Sequence, residues 1–259
     1  MPVALSIAGS DSGGGAGIQA DLLTFAAHGV YGTTAITCLT SQNPDSVCSV
    51  MPSTPNIVTD QIQQVASYFP LKAIKTGMLF NEGIVRSVIA FLVANRHIPC
   101  IVDPVMVSTS GATLLEPEAI KCLKEELFPL ASLITPNLDE ARVILGWSPV
   151  TVEDMREAAK ELQECYGIHV LLKGGHLSGI DLVDILATDS GTLLEIEHPR
   201  IEGVNTHGSG CTLSSSIAAN VAQGQSLPGA VYSALDYVSK TMRQSLCASR
   251  EHFMNHFPH

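Results

Sequence analysis

The 259-residue chain has little positive charge, with 14 Lys and Arg against 25 Asp and Glu and a formal net charge of −11. This balance argues against a nucleic acid or an anionic membrane surface as the main partner, because both attract basic patches. Aromatic residues are also few, at 5% with a single tryptophan, and no apolar run approaches the length of a membrane span. We expect a water-soluble protein that binds a small molecule.

The seven cysteines contain no Cys-x-x-Cys pair and are scattered along the chain. Such an odd, dispersed set, without a signal peptide, indicates reduced thiols and a cytoplasmic protein. The histidines near the end, His252, His256 and His259, have the pattern of a solvated terminus, and we expect no metal there.

Short apolar runs alternate with helical patterns along the whole chain. Strands are predicted at 3–7, 33–38, 47–51, 73–75, 100–102, 133–135, 169–172, 182–187 and 193–197, the last two as a hairpin around Asp189-Ser190-Gly191. Helices are predicted at 18–27, 55–68, 83–95, 117–128, 139–145, 153–166, 211–223 and 228–247. This alternation is typical of an α/β fold with a mostly parallel sheet covered on both faces. No linker or repeat interrupts it, so residues 1–259 are predicted to form one domain.

Glycine and polar residues follow six of the predicted strands. These junctions are Gly9 to Gly17, Thr40 to Asn43, Thr76 to Met78, Asp103 to Met106, Thr135 to Asn137 and Lys173 to His176. Taken alone, each junction is also typical of a tight turn. Because parallel strands end at one edge, where open α/β folds bind ligands, we expect the junctions to converge on one crevice.

A seventh glycine-rich stretch, Asn205-Thr206-His207-Gly208-Ser209-Gly210-Cys211-Thr212, leads into a helix of small residues. Free N–H groups and the macrodipole of a helix N-terminus attract anions, phosphate above all. The same field is expected to lower the pKa of the Cys211 thiol. In isolation the stretch is equally typical of a turn with a buried cysteine, and His207 fits a turn carbonyl as well as a phosphate.

Taken together, these motifs resemble those of the hydroxymethylpyrimidine/phosphomethylpyrimidine kinases of thiamine biosynthesis. The resemblance rests on Ala8-Gly9-Ser10-Asp11 with Gly14 to Asp21, Gln42-Asn43, Lys75 to Met78, Asp103 to Met106, Thr135 to Ala141, Lys173 to His176 and Thr206 to Thr212. It covers essentially the whole chain. The implied fold is the three-layer αβα ribokinase-like fold with a central mostly parallel sheet, and the family suggests a homodimer.

The resemblance also implies roles for individual residues. Gln42 is expected to hydrogen-bond an aminopyrimidine and Met78 to pack on its ring. Backbone of Gly9 and Val105 is expected to line the same pocket, with Asp21 near the acceptor substrate.

At the nucleotide end, Asp103 and Glu140 are expected to hold Mg²⁺ and Lys173 to neutralise ATP phosphates. Thr206 is expected to contact the nucleotide, and the backbone N–H groups of Gly208, Ser209, Gly210 and Cys211 are expected to bind its phosphates. Cys211 and Lys173 are the expected catalytic residues. Two positions depart from the family pattern: Ser209 replaces a usual threonine, and Asn205 replaces a frequent aspartate.

The expected activity is ATP-dependent phosphorylation of 4-amino-5-hydroxymethyl-2-methylpyrimidine and then of its monophosphate. Cys211 is expected to matter more in the first step, where the attacking oxygen must lose a proton. One alternative is a pyridoxal or pyridoxine kinase, or an enzyme of dual specificity. A non-catalytic pyrimidine-binding domain is the other, although the presence of Asp103, Glu140, Lys173 and Cys211 together disfavours it.

Overall fold

The structure is a computed structural model that describes residues 1–106, 115–175, 181–248 and 250–259. Its centre is a nine-stranded sheet with helices on both faces. The strands of this sheet are β1 (Val3–Ser10), β2 (Tyr31–Asn43), β3 (Ser46–Pro52), β4 (Leu71–Thr76), β5 (Cys100–Val102), β6 (Leu133–Ile134), β7 (His169–Leu172), β8 (Asp181–Ala187) and β9 (Leu193–Pro199). The predicted α/β class is confirmed.

The spatial order of the strands is β3-β2-β1-β4-β5-β6-β7-β8-β9. The pairs from β2 through β7 are parallel, whereas β3 pairs antiparallel with β2, and β8 and β9 form an antiparallel hairpin after β7. The carboxyl ends of the parallel strands therefore meet at one edge, where the predicted junctions lie. One prediction is wrong in detail: Thr40 to Asn43 do not follow their strand but form the last residues of β2, because they pair with β3.

Eight helices connect or follow the strands in the described part of the chain. They are α1 (Gly17–Ala27), α2 (Pro55–Tyr68), α3 (Glu82–Ala94), α4 (Pro117–Cys122), α5 (Leu138–Leu145), α6 (Val152–Tyr166), α7 (Ser209–Ala222) and α8 (Leu227–Arg243). None of these helices combines the length and apolar character needed to cross a bilayer.

The inner strands are apolar on both faces, because helices cover both sides of the sheet. In β5, Cys100 and Val102 pack in the core that also holds residues of α2 to α6, whereas Ile101 packs with residues of α1, α7 and α8. All three side chains are fully buried. The continuous apolar runs of the sequence thus produce two cores, one on each side of the sheet.

Two helix predictions extend too far. The helix predicted at 117–128 stops at Cys122 and continues as a π-helical turn and a 3₁₀ turn. Pro129 lacks an N–H group, so it cannot continue the α-helical ladder. The last helix ends at Arg243, and a small hairpin of β10 (Leu246–Ala248) and β11 (Glu251–Phe253) follows.

The expectation of a solvated terminus is wrong for His256, whereas His252 and His259 are exposed. The buried His256 lies with its Nε2 3.2 Å from Thr212 Oγ1 on α7, and Asn205 N–H donates to the His252 carbonyl at 2.8 Å. The final residues therefore pack against the segment that begins α7. Nothing in the local sequence pattern reports these long-range contacts.

Candidate active site

The loop after β1 and the loop before α7 are in close contact at the carboxyl edge of the sheet. Gly208 has φ of 82°, and a Cβ there would lie 1.8 Å from the Gly15 carbonyl oxygen. Only glycine fits both the backbone conformation and the close approach. The glycines that predicted a phosphate site therefore also join the two loops.

Backbone N–H groups at the N-terminus of α7 are available to bind a ligand. Ser209 N–H is already bonded to the Thr206 carbonyl at 3.0 Å. The N–H groups of Gly208, Gly210 and Cys211 have no backbone partner among the described residues. Three of the four expected phosphate donors are therefore free, and they lie at the positive end of a 14-residue helix.

A lysine and a carboxylate lie directly beside this helix terminus. Lys173 Nζ is 3.5 Å from Asp103 Oδ1, and a Cβ on Gly210 would lie 3.4 Å from that Nζ and 3.6 Å from Asp103 Oδ2. Burial lowers the pKa of Lys173, but Asp103 and Glu140 outweigh it, so the pKa is raised and the ammonium stays charged. The structure thus brings Lys173, Asp103 and the start of α7 together.

Glu140 is held in place by the start of its own helix. Its Oε2 accepts the Asn137 N–H at 2.9 Å, while the Asn137 side chain accepts the Glu140 N–H at 2.8 Å. This capping box fixes a buried carboxylate, whose Oε1 also accepts the Met106 N–H at 3.3 Å. Burial raises the pKa of Glu140 to about 7, Lys173 opposes the rise, and Asp103 adds to it.

The chemistry of this pair of carboxylates fits Mg²⁺. Among the described residues, Asp103 makes only long contacts, 3.4 Å from Thr135 and from Ser214 and 3.5 Å from Lys173, so its oxygens keep lone pairs for a cation. No group of three or more His, Cys, Asp or Glu in the described residues has the arrangement of a metal site. Mg²⁺ commonly uses one or two carboxylates together with water and substrate phosphates, which suits such a pair.

The expectation of a lowered pKa at Cys211 is wrong for the substrate-free protein. Burial raises the pKa of this thiol to about 11; Lys75 lowers it, and the carboxylates of Asp21 and Asp103 raise it further. The residue keeps partial exposure to the crevice. A protonated thiol with access to the site is therefore its resting form.

Beneath the site lies a buried ion pair that sequence reasoning did not single out. Lys75 Nζ donates to both oxygens of Asp21, at 2.8 and 2.9 Å, and both side chains are fully buried. The hydroxyls of Ser6 and Ser215 donate to the same carboxylate at 2.5 and 2.6 Å. The substrate-binding role of Asp21 stays a prediction.

The polar end of β2 carries Gln42, which is expected to bind the acceptor. Gln42 lines an open cavity of about 340 Å³ between the loop after β1 and the β2–β3 hairpin. The Gln42 amide lies 3.1 Å from His207 Nε2, and His207 Nε2 lies 2.9 Å from Asp11 Oδ2. Gln42, on β2, thus meets the loop before α7.

The other predicted acceptor residues lie at neighbouring strand ends. Thr37 Oγ1 donates to the Met78 carbonyl at 2.6 Å, and both Met78 and Val105 are partly exposed. Val105 has a φ of 42°, which is strained for a β-branched residue and is typical of functional sites. Gly9 is buried, and a Cβ there would lie 2.7 Å from Cys38 Sγ. His176, the last residue of its motif, lies outside the described residues.

Free phosphate donors, a charged lysine and two carboxylates at one sheet edge meet the needs of phosphoryl transfer, which depends on positioning and charge neutralisation. The fold and the site define a phosphotransferase with a ribokinase-like fold. A family model described as phosphomethylpyrimidine kinase matches residues 11–256, and the chain belongs to that family.

Individual relatives agree with this assignment. The chain is 45% identical over 252 residues to the hydroxymethylpyrimidine/phosphomethylpyrimidine kinase of Synechococcus elongatus, covering 95% of this chain and 93% of that one. It is also 45% identical over 248 residues to the thiamine biosynthesis bifunctional protein of Geobacter sulfurreducens. That match covers 96% of this chain but only 50% of the relative, so the chain spans about half the length of that protein. An ADP complex of Bacillus subtilis pyridoxal kinase superposes with a TM-score of 0.91 at 35% identity, covering 99% and 97% of the two chains.

Proposed function

We propose that the protein uses ATP to phosphorylate 4-amino-5-hydroxymethyl-2-methylpyrimidine and then converts the monophosphate to the pyrophosphate. The observation that carries this proposal is the position of Lys173 Nζ beside Asp103 and the free N–H groups that begin α7. These groups suit the β- and γ-phosphates of ATP. The flat acceptor is proposed to bind beside Gln42, with its hydroxymethyl oxygen toward the γ-phosphorus.

In the transfer step, this chain's groups position the reactants and balance charge. Lys173 and the N–H groups of Gly208, Gly210 and Cys211 stabilise the negative charge on the transferred group. Asp103 and Glu140 would hold Mg²⁺, directly or through water, and the bound ion would supply positive charge to the ATP phosphates. The bond between the γ-phosphorus and the bridging oxygen breaks as the acceptor oxygen bonds to phosphorus, and ADP leaves.

Cys211 acts on the proton of the acceptor hydroxyl. Its thiol first loses its proton to solvent, and the thiolate then accepts the hydroxyl proton as the oxygen attacks. The phosphate oxygen of the monophosphate is already anionic and needs no such base. Cys211→Ala is therefore expected to slow the first phosphorylation far more than the second, and an equal fractional loss on both acceptors would refute this division.

Release of ADP with hydroxymethylpyrimidine, its monophosphate and pyridoxal tests the function directly. We expect turnover of both pyrimidines by the wild type and a loss of at least about 100-fold in Lys173→Met, which removes the charge and keeps most of the volume. Lys72→Met, at an exposed position of β4, is the matched control. Absence of ADP release with either pyrimidine contradicts the proposal.

A pyridoxal kinase is the second candidate function. The likeness to the Bacillus subtilis pyridoxal kinase supports it, because that enzyme shares the fold over almost the whole chain. Pyridoxal carries a hydroxymethyl group on a flat ring of similar size. A higher kcat/KM for pyridoxal than for hydroxymethylpyrimidine in the same assay would favour this candidate.

A further inference from the structure

His207 connects the acceptor pocket to a buried carboxylate. Asp11 is 4% exposed, and its oxygens accept the N–H groups of Gly13 at 2.7 Å and Ala16 at 2.9 Å. The His207 ring lies against the same loop, since a Cβ on Gly15 would be 2.9 Å from its Cδ2. The His207 N–H is bonded to Asn205 Oδ1 at 2.8 Å, so backbone and ring are both fixed.

The charge of Asp11 determines which ring nitrogen of His207 carries a proton. Burial raises the pKa of Asp11, but the His207 side chain and the N–H groups of Gly13 and Ala16 outweigh this, and the pKa is lowered. An ionised carboxylate only accepts hydrogen bonds. His207 Nε2, 2.9 Å from Asp11 Oδ2, must therefore carry a proton, whether the ring is neutral or charged.

That proton in turn orients the amide of Gln42, whose Nε2 lies 3.1 Å from the same ring nitrogen. An amide has the same outline in both orientations, so the protons around it decide which end faces the ring. An NH₂ group facing Nε2–H would set two donors against each other. The satisfied arrangement turns the amide by about 180° and places Oε1 toward His207, where Oε1 shares the Nε2 proton with Asp11. The second lone pair of Oε1 and the NH₂ group then remain for a ligand.

We propose that His207, held by Asp11, is a specificity-determining positioning residue that fixes the donor and acceptor order of the Gln42 amide in the acceptor pocket. This inference rests on the proposed function. The amino group beside the hydroxymethyl carbon of the pyrimidine donates to Oε1, and the adjacent ring nitrogen accepts from the NH₂ group. Pyridoxal has an aldehyde oxygen, an acceptor, at the position of that amino group, so the fixed amide disfavours it.

The first experiment replaces the ring nitrogen and keeps the ring. His207→Phe is expected to lower the ratio of kcat/KM for hydroxymethylpyrimidine over pyridoxal by about tenfold, mainly through a higher KM for the pyrimidine, because the amide is free to turn. His97→Phe, at an exposed position in the loop before β5 at the opposite edge of the sheet, is the matched control. Where turnover of an acceptor is too slow, its Kd from calorimetry replaces KM.

The second experiment asks whether His207 acts through Gln42. In a Gln42→Ala background, His207→Phe is expected to leave the selectivity ratio unchanged, because there is no amide to orient. The same fall in both backgrounds, or an equal loss on both acceptors in the single variant, overturns the proposal. Should His207→Phe fail to fold, Asp11→Asn supplies the test, since it removes the ionised acceptor that fixes the Nε2 proton.

A measurement without substrate separates this inference from the proposed function. The ¹⁵N spectrum of His207 in the substrate-free wild type is expected to show a protonated Nε2, and an unprotonated Nε2 overturns the inference. Failure of the wild type to phosphorylate either pyrimidine refutes the proposed function instead. The spectrum reports the proton on His207 in either case.

Discussion

At the scale of single residues, Cys211 shows how burial and nearby charges together set the pKa, and so the reactivity, of a thiol. Its pKa of about 11 means that the thiolate is a small fraction at neutral pH. We expect the alkylation rate of Cys211 by iodoacetamide to rise about tenfold per pH unit between pH 7 and 10, following the thiolate fraction. The measurement uses a variant in which the exposed Cys48, Cys165 and Cys247 are serine. A rate that levels off below pH 8 would contradict the raised pKa.

The buried pair of Lys75 and Asp21 makes a prediction about stability. Lys75→Met leaves the Asp21 carboxylate buried without a counter-charge, and we expect a loss of about 3–5 kcal/mol in the free energy of unfolding. Replacing both residues, Lys75→Met with Asp21→Leu, is expected to cost less than the sum of the two single changes. Urea unfolding followed by circular dichroism measures all three variants.

The control for this pair is an exposed one. Arg86 pairs with Glu82 on α3, where both side chains are about half exposed, so Arg86→Met is expected to leave the unfolding midpoint nearly unchanged. Equal losses for Lys75→Met and Arg86→Met would show that burial of the Lys75–Asp21 pair has no energetic consequence.

At the scale of elements, the start of α7 depends on the contact between two loops. Gly208→Ala sets a Cβ against the Gly15 carbonyl and strains a φ of 82°. The loop must move, so we expect ATP binding to weaken by at least about tenfold while the helix itself remains. Gly224→Ala, with φ of 94° but open space around it, is the control for backbone strain alone. Equal ATP affinity in both variants would show that the close approach is irrelevant to binding.

The same elements show what the sequence can and cannot predict about the site. Strand ends are marked by a change from apolar residues to glycine and polar residues, so Asp103, Lys173 and the start of α7 could be placed at one edge in advance. The Asn137-x-x-Glu140 spacing is also a local signal, because it is typical of the capping box that fixes Glu140. Contacts such as Gln42 with His207, 165 residues apart, have no local signal.

The pKa of Cys211 was mispredicted for a related reason. A helix N-terminus can be inferred from sequence, but burial and the carboxylates of Asp21 and Asp103 act on the thiol only once the chain has folded. The position of Cys211 at a helix N-terminus is therefore only one of several influences on the pKa of its thiol. At the end of α8, the predicted last turn is replaced by the β10–β11 hairpin, in which Leu246 pairs with Phe253 and Cys247 with His252.

At the scale of the whole molecule, the sheet ends in an edge strand whose exposure suggests a partner. On β3, Val47 is 52% exposed and Met51 is 63% exposed, and in the described part of the chain this strand pairs only with β2. Natural proteins rarely leave such an edge uncovered. Because the family resemblance suggests a homodimer, we expect two copies to meet at this edge in a symmetric contact.

Light scattering after size-exclusion chromatography tests this assembly. The wild type is expected to have about twice the 27.4 kDa mass of the chain. Val47→Lys with Met51→Lys places charge in the contact and is expected to give monomers, whereas Val93→Lys, 57% exposed on α3, is expected to leave the dimer intact. A monomeric wild type would exclude the homodimer, and a double variant that remains dimeric would show that the contact does not lie at β3.

Because β3 continues the hairpin that carries Gln42, a monomeric variant with a raised KM for the pyrimidine would show that assembly supports the acceptor pocket.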